Sequence, residues 1–438
     1  MQNQRQGGPI TGSGQGNVDR ACLRSCPAAA RRFAVWAGLL AAFSLHAVGP
    51  AARGADPSDE RYRQLRFEMV REVVAREGVT SEAVLDSMRA VPRHLFVPGN
   101  VRQLAYFDQA IAIGHKQTIS PPFIVAYMTQ VLDPQPTDSV LEIGTGSGYQ
   151  AAILSGIVKD VYTIEIVEPL GQQAAKRLAE LGYRNVHTRI GDGYKGWPEH
   201  APFDKIIVTC SPESVPQPLI NQLREGGRMI VPLGERYKQV FYLFEKKDGK
   251  LVKTELLPAL FVPMTGISED QRKVLPDPEH PDVRNGSFEY VSGEDQRPDV
   301  WHYQRQLTIA HGNAPDGDAY AVFKSTDPGR SAQALQGMAI DGKKIGTLRV
   351  NVWAKGVQIR DGLEKWEQPR LVVHYFDKDR KNIGDAYLDT WEGSFNWKQF
   401  TADLTVPAAA REAIVQVGLN GGTGILSIDN IKLTPRPR

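Results

Sequence analysis

Cysteine is nearly absent. Of three, Cys22 and Cys26 lie near the amino end, and only Cys210 lies in the body of the 438-residue chain. One thiol cannot build a disulfide framework or a zinc cluster. An excess of one charge is missing too. The 52 Lys and Arg against 50 Asp and Glu leave a formal net charge of +2, so composition offers no footprint for nucleic acid. Long apolar runs are scarce. The only candidate, FAVWAGLLAAFSLHAV after Arg31-Arg32, is shorter than the roughly 20 residues that cross a bilayer. With 41% apolar and 23% charged residues, the rest has the composition of a soluble globular protein. It is too long for one ordinary core, which predicts two or more domains.

Residues 1–55 read separately. Gln, Gly, Asn and Ser dominate the start, which predicts disorder. Within 31–48, a basic pair, an apolar run and then the small residues of 51–55 follow the secretory signal pattern. No clean A-x-A site is visible and the amino flank is long. A tail that stays in place, or one from an early start codon, therefore stays open beside export.

The centre of the chain is VLEIGTGSGYQ, residues 140–150. Apolar Val140, Leu141 and Ile143 surround Glu142; Gly144, Gly146 and Gly148 follow, and then the small-residue run AAILSGIV. A buried strand feeding a glycine turn that opens a helix is the first unit of a doubly wound α/β sheet. The dinucleotide fingerprint would need a third glycine where Tyr149 stands. The pattern E-x-G-x-G-x-G instead resembles motif I of the S-adenosylmethionine-dependent methyltransferases. That cofactor carries a sulfonium cation and no pyrophosphate, which suits a carboxylate at the strand end.

The following residues fit this sheet. VYTIE is a second strand, with Glu165 placed about 20 positions beyond the glycine turn, where such folds accept ribose hydroxyls. NVHTRI is a third, leading to Asp192 and Gly193, and DKIIVT a fourth. Either acidic residue could instead cap a loop. Upstream, residues 91–132 form a long proline-rich loop leading into a helix over 122–132, with Ser120 as its natural N-cap. Loops of this length are usually functional.

The order VPRHLFVP, Tyr106-x-Asp108, IGHKQTISPP, VLEIGTGSGYQ, VYTIEI, GDGYKGWPEHAPFDKIIVT and LREGGRMIVPLG resembles protein-L-isoaspartate O-methyltransferase over roughly residues 60–266. The resemblance implies a Rossmann-like methyltransferase sheet over 56–268. It implies methyl transfer from S-adenosylmethionine to the free α-carboxyl of isoaspartyl residues in damaged proteins or peptides. It places the catalytic role on Ser120, which would also hold substrate, and a substrate-groove role on Asp108. It assigns cofactor contacts to Ile113, Gly114, His115, Lys116, Thr118, Glu142, Gly144, Gly146, Gly148, Glu165, Asp192, Gly193 and Thr265. His115 and Lys116 depart from the family pattern, which favours backbone contacts there. Cys210 reads as a buried small residue.

Residues 269–282, rich in charge and proline, read as a linker. From 283 to 438 short alternating segments separated by Gly, Asp and Pro turns predict a β-sandwich. NGSFE, Trp391-Glu392-Gly393, Trp397 and the terminal IDNIKL resemble jelly-roll carbohydrate-binding-type modules. That resemblance implies a structural calcium on Glu289 and Asp429, and a glycan or protein ligand. Trp353, Trp366, Trp391 and Trp397 could stack on a sugar or fill the core. Cofactor supply predicts a cytoplasmic enzyme. Export through 31–48 would favour a second reading, an envelope binding protein that uses a decayed methyltransferase fold as scaffold. A third reading is a related methyltransferase acting on another carboxylate or a small molecule.

Overall fold

The computed structural model describes residues 57–292 and 296–438. The leader and its signal-like stretch, 31–48, lie outside them. The chain opens with α1 (Pro57–Met69), which continues as a π-helical turn over Val70–Ala75, and α2 (Glu82–Ala90). A small hairpin follows, β1 (Ile111–Gly114) and β2 (Gln117–Ile119), leading into α3 (Pro122–Leu132). The main sheet is then laid down as β3 (Ser139–Ile143), α4 (Tyr149–Ser155), β4 (Asp160–Glu165), α5 (Glu168–Glu180), β5 (Val186–Ile190), β6 (Phe203–Val208), β7 (Leu223–Glu235), β8 (Lys238–Lys247) and β9 (Lys250–Ala259).

Its strand order is β5-β4-β3-β6-β7-β8-β9. The first five strands of that order are parallel, and β8 and β9 add antiparallel pairing at one edge. The central strands read as continuous apolar runs because helices and loops cover both faces. One face buries Val140, Ile207 and Phe241 against α2, α3 and α4. The other buries Leu141, Ile206 and Met229 against the loops that follow β5 and β6. This is the expected Rossmann-like methyltransferase sheet.

The carboxyl-terminal region is a β-sandwich with the predicted alternation. Its strands are β10 (His302–Arg305), β11 (Leu307–His311), β12 (Ala319–Ser325), β13 (Gln333–Ala339), β14 (Ile345–Arg360), β15 (Arg370–Phe376), β16 (Asn382–Tyr387), β17 (Gly393–Thr405), β18 (Glu412–Gly418) and β19 (Thr423–Pro437). They form two five-stranded antiparallel sheets, β10-β13-β18-β15-β16 and β11-β12-β19-β14-β17. Phe288, Trp301, Phe323, Tyr375 and Trp391 fill the space between them. Trp391 is therefore core and unable to stack on a sugar, whereas Trp366 is 62% exposed.

Two features of the folded chain bear on the site. Ser120 does not cap α3. The N-cap is Pro121, and the Phe123 N–H donates instead to Asp108 Oδ1 at 3.2 Å. The prolines that open this helix left its cap to a residue twelve positions before Ser120, beyond the reach of a local pattern. The second feature is the segment after β9, drawn back onto the sheet edge. Pro263 bridges Ser211, and the buried Arg272 donates to Ser211 O at 3.0 Å, Gly234 O at 3.3 Å and Glu269 Oε2 at 2.8 Å. Arg272→Ala should therefore cost about 1–3 kcal/mol, because the hydrogen bonds of a buried guanidinium are lost while Glu269 keeps Arg236 and Ser211 O keeps Met264 N. Urea unfolding of the full chain measures this.

Candidate active site

The site is built at the carboxyl ends of β3, β4, β5 and β6, where open α/β sheets bind ligands. β3 ends on Glu142-Ile143 and turns through the glycines into α4. Gly144 has φ 99°, and a Cβ there would lie 2.6 Å from Thr209 Oγ1, so no side chain fits. Thr209 Oγ1 in turn donates to Gly144 O at 2.7 Å. Gly193 is equally confined, since a Cβ would lie 2.4 Å from Ile143 Cγ2.

A solvent-open cleft of about 820 Å³ lies over this turn. It is lined by Thr118, Ser120, Glu142, Gly144, Gly146, Glu165, Gly193 and Thr265, all singled out in the sequence. Other singled-out residues stand behind the lining. Ile113 lies beside Gly146, its Cδ1 3.5 Å from where a Cβ would be. Gly148 precedes α4 and packs on Leu178. Gly114, His115 and Lys116 make the β1–β2 turn with φ of 90°, 52° and 62°. Positive φ at both central residues is what a tight hairpin turn of this hand requires.

The acidic groups differ in their commitments. Glu165 Oε2 accepts from Gly146 N at 2.7 Å and Oε1 from Val167 N at 2.9 Å. Asp192 Oδ1 accepts from Tyr194 N at 2.9 Å and Oδ2 from Ile267 N at 3.0 Å, which ties the 262–272 segment over the cleft. Each oxygen keeps a further lone pair for a hydroxyl or amino group. Glu142 is different. It is fully buried, and neither carboxylate oxygen has a hydrogen-bond partner. Burial raises its pKa to about 8, with the neighbouring Thr163 hydroxyl opposing the shift and the charge of Glu165 adding to it. An unpaired buried carboxylate facing a cleft fits a cationic ligand, which would restore its charge. The glycine cradle and this orphaned group together fit S-adenosylmethionine.

Several contributors were not singled out in the sequence. Thr209 was legible as a strand end. Val262, Pro263 and Met264 line the cleft, but only because Pro263 pairs with Ser211, a contact no periodicity announces. Arg93 is fully buried and donates to Ala105 O and Ser120 O, both at 2.7 Å, with its guanidinium 4.7 Å from the Tyr149 ring centre. It anchors the backbone of the Ser120 loop from below. Asp108 is not in the cleft lining. Its oxygens serve Phe123 N and Arg305. Cys210 is only half-buried, not buried as expected, and lines the cleft, where desolvation raises its thiol pKa far above neutrality. A thiol so disposed is no nucleophile.

In the sandwich, Glu289 and Asp429 serve one loop. Asp429 accepts from Asp316 N at 2.8 Å and Asn430 N at 2.6 Å, and Glu289 from Asp318 N and Ala319 N, both at 2.8 Å. Burial, then the charges of Asp316 and Glu289, raises the Asp429 pKa to about 6. Among the described residues no group of three or more His, Cys, Asp and Glu side chains could hold a metal ion. The calcium expected on this pair thus gains no support; the carboxylates bond backbone amides instead.

The sheet, the glycine turn and the acidic strand ends define an S-adenosylmethionine-dependent methyltransferase. Comparison with known proteins narrows the class. The protein-L-isoaspartate(D-aspartate) O-methyltransferase family profile matches residues 65–269. Protein-L-isoaspartate O-methyltransferase of Opitutus terrae is 54% identical over 46% of this chain and 86% of its own length. Protein-L-isoaspartate O-methyltransferase 1 of Nitrosospira multiformis is 54% identical over 48% of this chain and 90% of its own. A solved structure from Plasmodium falciparum, described as a putative enzyme of this kind in complex with S-adenosyl-L-homocysteine, is 25% identical with a TM-score of 0.41. It covers 46% of this chain and 98% of that one. The chain belongs to the protein-L-isoaspartate O-methyltransferase family.

If the cofactor's cation faces Glu142, whose pKa burial raises to about 8, binding should release a proton below that pH. S-adenosylmethionine affinity should rise with pH, by up to about tenfold per unit, and level off above about 8. Titration calorimetry in buffers of different ionisation enthalpy measures the proton released. Glu142→Gln should weaken binding and remove the protein's share of the pH dependence.

Proposed function

We propose that this protein transfers a methyl group from S-adenosylmethionine to the free α-carboxyl of L-isoaspartyl residues in proteins or peptides, starting their repair. The observation that carries the reading is Ser120. It lines the same cleft as Glu142 and the glycine turn, and Asp108 has taken over the cap of α3. When bound, the cofactor supplies an electrophilic methyl group. Glu142 offers it a negative charge, Glu165 and Asp192 offer acceptors, and the backbone at Gly144 and Gly146 lets it approach.

The acceptor needs no general base. A free carboxyl has a pKa near about 4 and is already charged at neutral pH. The protein's task is then to orient two reactants, worth roughly 7–11 kcal/mol when geometry is right. The Ser120 hydroxyl donates to the acceptor carboxylate and holds it toward the cofactor. Esterification gives the isoaspartyl carboxyl a good leaving group, so a succinimide closes and hydrolysis returns some ordinary aspartate. Acceptors are short flexible segments able to enter an open cleft.

The catalytic machinery lies within 56–268, with 269–282 as connector and 283–438 as the sandwich. Dependence on S-adenosylmethionine, which is made inside cells, places the working enzyme in the cytoplasm. Among the described residues no helix is long and apolar enough to cross a membrane. The intact glycine cradle and unpaired Glu142 argue against a decayed fold kept as scaffold.

Incubating the full chain with methyl-labelled cofactor and an isoaspartyl peptide, beside its aspartyl twin, should label only the first. Equal or absent labelling of the two rejects this function. Ser120→Ala should lower kcat by about 10²-fold or more, the scale for losing one donor to the reacting oxygen, with cofactor Kd little changed. A large loss of cofactor affinity would instead make Ser120 a structural residue.

A further inference from the structure

We propose that Arg305, supplied by the β-sandwich, is a positioning residue for methyl transfer, acting through Asp108 on the loop that carries Ser120. The proposal rests on the function given above. Ser120 stands between β2 and α3, and the first turn of α3 fixes where that loop ends. Asp108 Oδ1 caps this turn at Phe123 N. The other oxygen, Oδ2, accepts from Arg305 Nη2 at 3.1 Å. The two side chains are only 6% and 8% exposed. The Arg305 guanidinium also lies over the Phe123 ring, 4.0 Å from its centre. One side chain from the sandwich therefore holds both the cap and the capped residue.

The backbone that delivers Arg305 is unusual. β10 is irregular between His302 and Arg305 in its pairing with β13. Tyr303 and Gln306 have φ of 52° and 50°, a region that costs a non-glycine residue energy and persists only where surroundings hold it. A bulge of this kind re-aims a side chain. Here it turns Tyr303 against the methyltransferase core and sends Arg305 toward Asp108. His302, on the same strand, is joined through Nε2 to Tyr237 O at 3.0 Å, at the β7–β8 turn. Lys116 Nζ in the β1–β2 turn reaches Asp379 Oδ1 of the sandwich at 3.8 Å.

Without Arg305, Asp108 becomes a buried carboxylate with a single amide partner. Such a group is costly where it stands and swings to solvent. Swinging out uncaps α3 and lets the Ser120 loop move. A displacement near 1 Å costs about 10²-fold in a reaction that depends on orientation. The glycine turn and the strand ends of β3 to β6 carry no contact with Arg305 or Asp108 and keep their place.

The test uses the full chain, with kcat expressed per folded molecule and cofactor Kd measured separately. Arg305→Gln should lower kcat on the isoaspartyl peptide about 10- to 100-fold with cofactor Kd unchanged. Arg305→Lys, which keeps the charge, should retain more activity than Arg305→Gln and serves if the latter does not fold. Asp108→Asn keeps an acceptor for Phe123 N without a charge that needs a partner. Combined with Arg305→Gln, it should recover much of the lost kcat. Unchanged kcat in Arg305→Gln, loss in step with cofactor affinity, or no recovery in the double variant overturns the proposal. A wild-type protein that fails to label the isoaspartyl peptide overturns the function itself, and this inference with it.

Discussion

A buried acidic group without a well-formed hydrogen bond is the point on which the site turns. Glu142 stands near the end of a central strand, beneath the cleft, with no exposed surface of its own. The strand is apolar because it is buried, and the carboxylate on it is tolerable only as a neutral acid or opposite a cation. The glycines that follow clear the space in which such a cation would lie. Thr209 braces the turn from β6, and Glu165 braces it from β4 through Gly146 N. Three strands thus converge on one cradle whose shape is held by backbone and whose charge is left open.

The opposite wall obeys a different logic. The Ser120 loop carries little regular structure of its own, and side chains hold it by the backbone. Arg93 takes the Ser120 carbonyl from within the core, and Asp108 takes the first free amide of α3. Putting a negatively charged residue at a helix start is favourable in itself. Burying it is not, and the guanidinium from β10 compensates. The division is physical: the cofactor wall is one sheet edge, while the acceptor wall is assembled from remote parts of the chain.

That division explains what could be read from residues alone. The sheet, its strand ends and the glycine turn were legible because local patterns specify them: apolar runs, acidic ends, glycines at alternate positions. Glu165 was found by spacing from the turn, and Asp192 by its place at the end of the next strand. Ser120 was found by resemblance, and its capping role was wrongly expected because a serine before two prolines and a helix fits the local rule. The true cap, Asp108, lies across a hairpin. Arg305 is 197 positions from its partner, and no periodicity connects them. The sandwich was legible as alternating strands, but Trp391 could be placed in its core only from the packing. The resemblance implied a calcium on Glu289 and Asp429, whose oxygens accept from backbone amides of residues 316–319 and 430.

The seam between methyltransferase and sandwich has a thermal consequence. Tyr303 belongs to a sandwich strand but packs in the methyltransferase core, and Glu77, just beyond the Val70–Ala75 turn, binds Arg330 and Gln306. Melting the sandwich would strip cover from the methyltransferase core and strand Asp108. Melting the core would leave Tyr303 and Arg305 exposed. Neither body has a route to lose its structure alone without sharing the cost. On heating, residues 57–438 should behave as one cooperative unit with a single calorimetric transition rather than as two beads joined by a string.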